Sequence, residues 1–128
     1  MKVYHNFDEK SLLEVAKATG VKQCIADVSY ARRKIYLNAK MYILRNEFCF
    51  FLAEWQKEKM RIIGMAVSKE MQGKHIGSVL LDKAIRDARR VGAKAITTRS
   101  LSGVQFYTKK GFDIVGMKDG DYLLQLSL

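Results

Sequence analysis

Residues 64–78 read Gly64-Met65-Ala66-Val67-Ser68-Lys69-Glu70-Met71-Gln72-Gly73-Lys74-His75-Ile76-Gly77-Ser78 and join a strand pattern to a helix pattern. Glycines at positions 73 and 77 let the backbone turn tightly and approach a ligand. The unpaired N–H groups of a helix's first turn and the helix dipole favour an anion there, and Lys74 adds a positive charge. On spacing alone, a phosphate site and an ordinary strand-to-helix turn are equally compatible with this stretch.

The residues on either side of this loop predict a strand, a helix and a second strand. Between Met41 and Val67, three runs rich in aromatic and β-branched residues predict three antiparallel strands. After the loop comes a helical stripe that Gly92 ends, formed by Leu80, Leu81, Ala84, Ile85, Ala88 and Val91. Residues 93–99 predict the next strand. Because a helix crosses over to it, this strand must run parallel to the one before the loop.

The N-terminal part of the chain predicts a strand and two helices. Residues 2–7 alternate enough to predict a short first strand, and Asp8 then stands where a helix N-cap belongs. Gly20 ends that first helix. A second helical pattern follows, with apolar residues at three- and four-residue steps from Cys24, and it ends near Asn38.

The C-terminal part predicts a short helix and a closing hairpin. Residues 101–110 predict the helix, which Gly111 stops. Residues 112–117 and 122–128 predict two strands, joined at Asp119-Gly120, which is a strong hairpin signal. The complete order, β-α-α-β-β-β-α-β-α-β-β, predicts an α/β fold with a mixed sheet.

Length and composition indicate one globular domain over residues 1–128. Hydrophobic residues make up 48% of the chain and charged residues 28%, as in ordinary folded domains. No apolar run approaches the roughly 20 residues that span a bilayer, and the N-terminus lacks the pattern of a signal peptide. We therefore expect a cytoplasmic protein with no membrane partner. Cys24 and Cys49 have no zinc-ligand spacing, so buried thiols are expected and no metal is assigned.

The charge balance favours an anionic partner. The chain has 23 Lys and Arg against 13 Asp and Glu, a formal net charge of +10. A nucleic acid, a membrane surface and a polyphosphate cofactor would all be attracted by this field. Two familiar phosphate loops are absent, because the sequence has no GxxxxGK[ST] and no GxGxxG followed by an acidic residue. Nucleotide hydrolysis and dinucleotide binding are therefore disfavoured.

Two motifs resemble those of a known family. Val67 followed by Gln72-Gly73-Lys74-His75-Ile76-Gly77 resembles the signature of the GNAT superfamily of acyl-CoA-dependent N-acyltransferases, with His75 at a position that is usually glycine. Residues 106–112, Phe-Tyr-Thr-Lys-Lys-Gly-Phe, resemble that family's second element. The predicted order of elements is also similar to the GNAT order.

The resemblance implies an acetyl-CoA-dependent N-acetyltransferase and a role for each matching residue. Met65, Ala66 and Val67 would pair with the pantetheine arm, and the pyrophosphate would lie against Gln72, Gly73, Lys74, His75, Ile76, Gly77 and Ser78. Tyr107 would be the general acid that protonates the departing thiolate. A phenol suits this role, because its reference pKa of about 10 keeps it protonated at neutral pH. Ser100 stands where the family usually has a cofactor-contacting Asn, and Lys109 would reach the cofactor's phosphates.

The resemblance leaves the acceptor and the base open. The acceptor, a small-molecule or peptide amine, would lie between the second helix and the central strands. Relatives often carry a Glu base where Arg61 and Ala95 stand here, so deprotonation is left to water, to a carboxylate such as Glu54 or Asp27, or to bulk solvent. An anionic acceptor and a homodimer are compatible with the sequence. The competing hypothesis is a non-catalytic, basic nucleic-acid-binding module on the same fold.

Overall fold

A computed structural model describes all of residues 1–128 and contains four α-helices and six strands. The helices are α1 (Glu9–Ala18), α2 (Lys22–Tyr36), α3 (Ile76–Arg90) and α4 (Val104–Lys109). The strands are β1 (Met41–Arg45), β2 (Cys49–Gln56), β3 (Lys59–Val67), β4 (Ala95–Ser100), β5 (Asp113–Lys118) and β6 (Asp121–Ser127). A single 3-10 turn, Lys69–Met71, lies between β3 and α3. The α/β fold class and the order from α1 onward are confirmed.

The predicted first strand is wrong. Residues 2–7 make only one bridge to the sheet, in which Tyr4 and Arg45 exchange both backbone hydrogen bonds, at 2.7 and 3.0 Å. The chain then bends away, and the Arg45 side chain holds it by donating to the backbone oxygen and the side-chain oxygen of Asn6. Asp8 follows at once as the predicted N-cap of α1, accepting from the Ser11 N–H at 3.3 Å.

The six strands form one sheet in the order β1-β2-β3-β4-β6-β5. All neighbouring pairs are antiparallel except β3 and β4, which are parallel, as the crossover through α3 requires. Asp119 and Gly120 form the predicted turn between β5 and β6, both with positive φ. None of the four helices combines the length and the apolar character that crossing a bilayer demands.

Two clusters of apolar side chains cover the two faces of the sheet. Strand β2 lies between them, and its residues from Cys49 to Glu54 are all buried. Phe50 and Leu52 pack with α1 and α2 on one face, while Phe51 and Ala53 pack with α3 on the other. Both cysteines are buried as expected, and burial raises the pKa of both thiols, that of Cys49 to about 11.

Strands β3 and β4 are paired only at one end. Three residue pairs join them, from Lys59 with Ala95 to Arg61 with Thr97, and beyond Arg61 the two strands have no common ladder. On the other side of β3, the pairing with β2 shifts register between Leu52 and Ala53, at an irregularity that bends a strand. The sheet therefore contains an opening between the second half of β3 and the end of β4.

Candidate functional site

Two cavities lie along the unpaired half of β3. The larger, here called the gap cavity, has a volume of about 800 Å³ and lies in the opening between β3 and β4, bordered by α2 and α4. The smaller, here called the loop cavity, has a volume of about 430 Å³ and lies between the β3–α3 loop and α4. Met65 lines the first and Val67 the second. The two cavities therefore lie one after the other along β3, at alternate residues of the strand.

The loop cavity brings together most of the residues that the first motif singled out. Its lining includes Val67, Gln72, Gly73, His75, Ile76, Gly77, Ser78 and Lys109. No side chain caps the N-terminus of α3, so the backbone N–H groups of its first turn remain available to a ligand. The predicted anion-favouring helix start is therefore present, and it faces a cavity.

His75 adopts the backbone conformation that glycine favours. It is the N-cap residue of α3 and has a left-handed conformation, with φ +61° and ψ +20°. This conformation strains a residue with a Cβ atom. The side chain itself is exposed, as expected for a loop histidine. The loop thus keeps the geometry of a glycine-containing turn with a histidine in it.

The two glycines of the loop have different roles. Gly73 has φ +80° and open space around it, so it serves the turn as predicted. Gly77 does not, because it lies inside α3 and its φ is not in the left-handed region. A Cβ at position 77 would instead lie 3.7 Å from the Met65 side chain and 3.9 Å from Phe106. Both distances are ordinary van der Waals contacts, so a small side chain would fit at position 77.

Polar side chains of the loop region are partly engaged. The Gln72 amide donates to the carbonyl of Val67 at 3.0 Å and so ties the loop to the end of β3. Lys74 is not in the cavity lining, and its ammonium group lies 3.8 Å from the Met71 sulfur. Lys110 is bound to Asp82 at 2.9 Å. Lys109 makes no ion pair and stands exposed at the cavity, which leaves its charge free for an anion.

The strand segment Met65–Val67 lies along both cavities, with Met65 in the lining of the gap cavity and Val67 in that of the loop cavity. Ala66 is buried, and its side chain packs into the cluster beneath α1 and α2. Because successive side chains alternate, Met65 and Val67 point toward the opposite face. All three pair with β2 on one side, opposite Phe51, Phe50 and Cys49, and none pairs with β4 on the other.

Tyr107 reaches the gap cavity from α4 and is only 8% exposed. Its ring is held between Phe106 and Phe112, each at a centroid distance of 5.2 Å in an edge-on arrangement. Burial raises the pKa of the phenol, the neighbouring Thr98 opposes this, and the charge of Asp27 raises the pKa further. The phenol therefore holds its proton at neutral pH, as an acid must.

Ser100 lines the same cavity at the end of β4 but has a structural partner. Its hydroxyl oxygen accepts from the Gly103 N–H at 2.8 Å, at the start of α4. A Cβ at position 103 would lie 2.8 Å from that oxygen, so Gly103 accommodates the contact. Ser100 thus sets the position of the helix that carries Tyr107.

Glu54 and Asp27, the two carboxylates considered as bases from the sequence, differ in their ion pairs and in the direction of their pKa shifts. Glu54 is buried in β2 and bound by Lys34 at 3.2 Å and by Arg61 at 3.4 Å. Burial alone would raise its pKa, but hydrogen bonds from Lys34 and Gln56 and the two positive charges lower it. Asp27 lies on α2 in the gap cavity, and burial raises its pKa against one hydrogen bond from Gln23.

Several cavity residues were not recognised in the sequence as parts of a site. Tyr30 of α2 accepts from Arg61 at 2.5 Å, and three cations lie within 6 Å of its ring, those of Arg33, Lys34 and Arg61. Arg33 also lines the cavity and has no ion-pair partner. Arg33 is exposed, whereas Lys34 binds Glu54.

Comparisons with known proteins agree with this architecture. No curated protein matches the sequence. Among solved structures, the PaiA N-acetyltransferase of Thermoplasma acidophilum in complex with coenzyme A is 17% identical with a TM-score of 0.77, and the match covers all of both chains. A Bacillus subtilis acetyltransferase in complex with CoA is 17% identical with a TM-score of 0.70, covering 99% of this chain and 97% of that one.

A third solved structure extends the likeness, and a family model defines it. The ribosomal-protein-S18-alanine N-acetyltransferase of Escherichia coli is 11% identical with a TM-score of 0.77, over 98% of this chain and 92% of that one. At these identities the likeness shows the fold. The model of the acetyltransferase (GNAT) domain matches residues 37–114, which is more than half of the chain and includes β3, the loop, α3 and Tyr107. The chain therefore belongs to the GNAT acetyltransferase family and is an acyltransferase.

Proposed function

We propose that this protein transfers an acetyl group from acetyl-CoA to a primary amine by direct attack of the amine on the thioester. The observation that carries the proposal is the continuity of the two cavities along β3. One offers backbone N–H groups and a free lysine for phosphates, and the other holds a protonated, buried phenol. Direct attack needs no nucleophilic side chain, only groups that position, polarise and exchange protons.

The residues around the loop cavity suit the donor's diphosphate. The uncapped first turn of α3 offers N–H groups at Ile76, Gly77 and Ser78, with Gly73 and His75 shaping the turn before them. Gln72 and Lys74 complete the predicted pyrophosphate loop, and Lys109 adds a free positive charge. The edge of β3 from Met65 through Ala66 to Val67 is unpaired toward β4, so its backbone groups suit the amides of a pantetheine arm.

Tyr107 is the proposed general acid. Acetyl-CoA would supply an activated acetyl thioester, whose sulfur leaves as a thiolate. A phenol with a raised pKa keeps its proton until that thiolate forms nearby, and the short α4, positioned by Ser100, fixes where the hydroxyl points. A backbone N–H of β3 would stabilise the negative oxygen of the tetrahedral intermediate.

The acceptor is a primary amine that enters the gap cavity beside α2. Of the three arginines in the lining, Arg61 binds Glu54, Arg99 binds Asp121 at 3.0 Å, and Arg33 has no carboxylate partner. This exposed, unpaired guanidinium in the cavity lining favours an acceptor that also carries an anionic group, such as an acidic peptide or a nucleic acid that bears an amine. This supports the anionic acceptor and disfavours a fully cationic amine.

A location in the cytoplasm and a homodimer are further parts of the proposal. The strand β5 at the sheet edge exposes Ile114, Val115 and Met117, each at least half accessible. A second copy would cover such a face. Sedimentation of the purified chain checks this: a monomer at all concentrations contradicts the dimer and leaves the catalytic proposal unaffected.

A binding titration and an activity panel test the proposed function. Acetyl-CoA at millimolar concentration should raise the melting temperature, because it binds the folded state alone. Thiol release should then be measured with amino acids, peptides, aminoglycosides and polyamines, and acidic peptides should react fastest. Binding of CoA without thiol release from any amine would contradict the transferase proposal. A non-catalytic nucleic-acid module would instead show strongly salt-dependent RNA binding and no heat with acetyl-CoA.

A further inference from the structure

The gap cavity is lined by two carboxylates, Asp27 and Asp121, and they are in different electrostatic states. Asp121 is neutralised by the Arg99 guanidinium at 3.0 Å. Asp27 forms no ion pair, and its one hydrogen-bond partner is the uncharged amide of Gln23, at 2.9 Å. Asp27 is therefore the carboxylate of this cavity whose charge is left for a ligand.

The carboxyl group of Asp27 occupies space that is open because residue 64 of β3 is a glycine. Its carboxyl group lies directly against Gly64, where an added Cβ would overlap the carboxyl oxygen and approach its Cγ to 2.6 Å. Gly64 precedes Met65 in the part of β3 that has no partner in β4. The carboxyl group of Asp27 is thus in close contact with β3. The thioester is proposed to lie beside the same edge of that strand.

Asp27 and Tyr107 enclose the same space from two elements. Tyr107 approaches from α4 and Asp27 from α2, and they are close enough for the charge of one to raise the pKa of the other. The other charged and titratable groups that face this space are Arg61 from β3, Arg99 from β4, Asp121 from β6, and Cys24, Tyr30 and Arg33 from α2. Arg61 is paired with Glu54 and Arg99 with Asp121, and Arg33, 5.8 Å from the Tyr30 ring centroid, forms no ion pair with Asp27.

We propose that Asp27 receives the ammonium group of the acceptor in the gap cavity and takes the proton that must leave before the nitrogen can attack. The inference rests on the proposed function and adds to it the residue that prepares the amine. An alkylammonium ion supplies the positive partner that Asp27 lacks in the free protein. The raised pKa of this carboxyl makes it a better proton acceptor than an exposed aspartate would be.

The proton balance is complete with these two residues. The acceptor R–NH3⁺ gives one proton to the Asp27 carboxylate, which later releases it to solvent, and the lone pair of R–NH2 forms the new bond to the thioester carbon. The nitrogen of the tetrahedral intermediate still carries two hydrogens. When the C–S bond breaks, Tyr107 protonates the thiolate and regains a proton from that nitrogen. The products are R–NH–CO–CH3, CoASH and one H⁺ in solution.

The variant Asp27→Asn tests the assignment, with Asp113→Asn as the matched control, because Asp113 is exposed on β5, lies outside both cavity linings and forms no ion pair. Asparagine keeps the shape that fits against Gly64 and the contact with Gln23 but accepts no proton. Near pH 7, we expect kcat/KM to fall about 100-fold while the dissociation constant of CoA stays within about twofold. The remaining rate should rise about tenfold per pH unit, because the free amine then comes from solution. The control should keep the wild-type rate and pH profile.

A second variant separates chemistry from folding. Asp27→Ala leaves room for a small carboxylate, so formate should restore part of the rate to this variant and should leave the rate of Asp113→Asn unchanged. If Asp27→Asn keeps the wild-type kcat/KM and pH profile, or if formate fails to restore rate to an alanine variant that melts normally and binds CoA, the assignment is overturned alone. A wild-type chain that binds CoA but acetylates no amine overturns the proposed function and this inference together.

Discussion

The loop cavity and the gap cavity are built in different ways. The loop cavity is lined mainly by one contiguous stretch from Val67 to Ser78, and the uncapped first turn of α3 presents backbone N–H groups there. The gap cavity is lined by side chains from α2, β3, β4, α4 and β6. A site made of backbone tolerates substitutions as long as the turn survives. A site made of side chains from five elements changes with each of them.

This difference explains why the proposed donor site leaves a motif in this sequence and the proposed acceptor site does not. The donor site needs a turn with positive φ and a helix start, and both leave a motif in the sequence. The acceptor site needs a charge at a point in space, which can be supplied from any neighbouring element. Substitutions that change one cavity at a time test this contrast between the loop cavity and the gap cavity.

The largest effect is expected from Tyr107→Phe. Removing the hydroxyl removes the proton for the leaving sulfur, so kcat should fall about 1,000-fold. The affinity for CoA, measured by calorimetry, should change little, because the loop cavity is untouched. Tyr122→Phe on β6 is the control, since Tyr122 lies outside both cavity linings and should keep full turnover. Equal turnover in the two variants would remove the acid role from Tyr107.

Gly64→Ala should break the gap cavity while leaving the loop cavity intact. The new methyl group overlaps the Asp27 carboxyl, so the carboxyl or α2 must move. A displacement of about 1 Å is enough to lower kcat/KM about 100-fold. Gly116→Ala is the matched control, because its Cβ would meet only Leu123 at 3.6 Å. CoA titration should give the same dissociation constant in both variants, and a weakened one in Gly64→Ala would contradict the separation of the two cavities.

Stability at different pH values should distinguish the buried Glu54 from the half-buried Asp27. The folded-state pKa of Glu54 is lowered, so its contribution is present above pH 4.5 and lost as the pH falls through the folded value. Glu54→Gln should therefore reduce the unfolding free energy at pH 7 by about 1–3 kcal/mol, since Lys34 and Arg61 lose their partner.

Asp27 should behave in the opposite way. Its folded-state pKa is raised, so the ionised carboxylate destabilises the fold above that value, and this effect disappears as the pH falls below 3.8. Asp27→Asn should raise the melting temperature at pH 7 and should lose this advantage near pH 3.5. Thermal melts of both variants across this range provide the measurement. A lower melting temperature for Asp27→Asn at pH 7 would mean that the carboxylate is stabilised in the folded protein.

The smallest effect is expected in the loop. His75→Gly should raise the unfolding free energy by about 0.5–1 kcal/mol, because glycine adopts φ +61° without strain. Gly73→Ala, at φ +80° in the same loop, should lower it by about 1 kcal/mol. Denaturant unfolding measures both. CoA affinity of His75→Gly should remain, because backbone N–H groups supply the contacts; a large loss would assign the imidazole a direct role.

The sequence predicted the elements whose residues interact locally. The strands β1 to β3, the helix α3 with its uncapped start and the Asp119-Gly120 hairpin follow from periodicity and turn residues. Residues 2–7 were wrongly predicted as a strand, because alternation says nothing about whether a partner edge is free along their whole length. Gly77 was assigned to the turn, although it lies inside α3 and its φ is not in the left-handed region.

The candidate site was predictable only in part, because motifs report local sequence and not which residues of distant elements meet in space. The motifs identified Val67, the loop and Tyr107, and the structure brings them to the two cavities. Ser100 lies in the gap cavity but is also engaged with Gly103. Asp27 and Glu54 were equivalent in the sequence. Only their surroundings distinguish them. Glu54 is paired with two cations, whereas Asp27 lies against a glycine of β3.

The three residue pairs between β3 and β4 divide the sheet into two half-sheets, β1-β2-β3 and β4-β6-β5, each with its own complete antiparallel ladder. The angle between the half-sheets can change without breaking hydrogen bonds inside either one. Substitutions under α2 or α4 could therefore widen or narrow the gap cavity by changing this angle. A scaffold with such a seam could fit acceptors of different size while the proposed diphosphate site in the loop cavity stays the same.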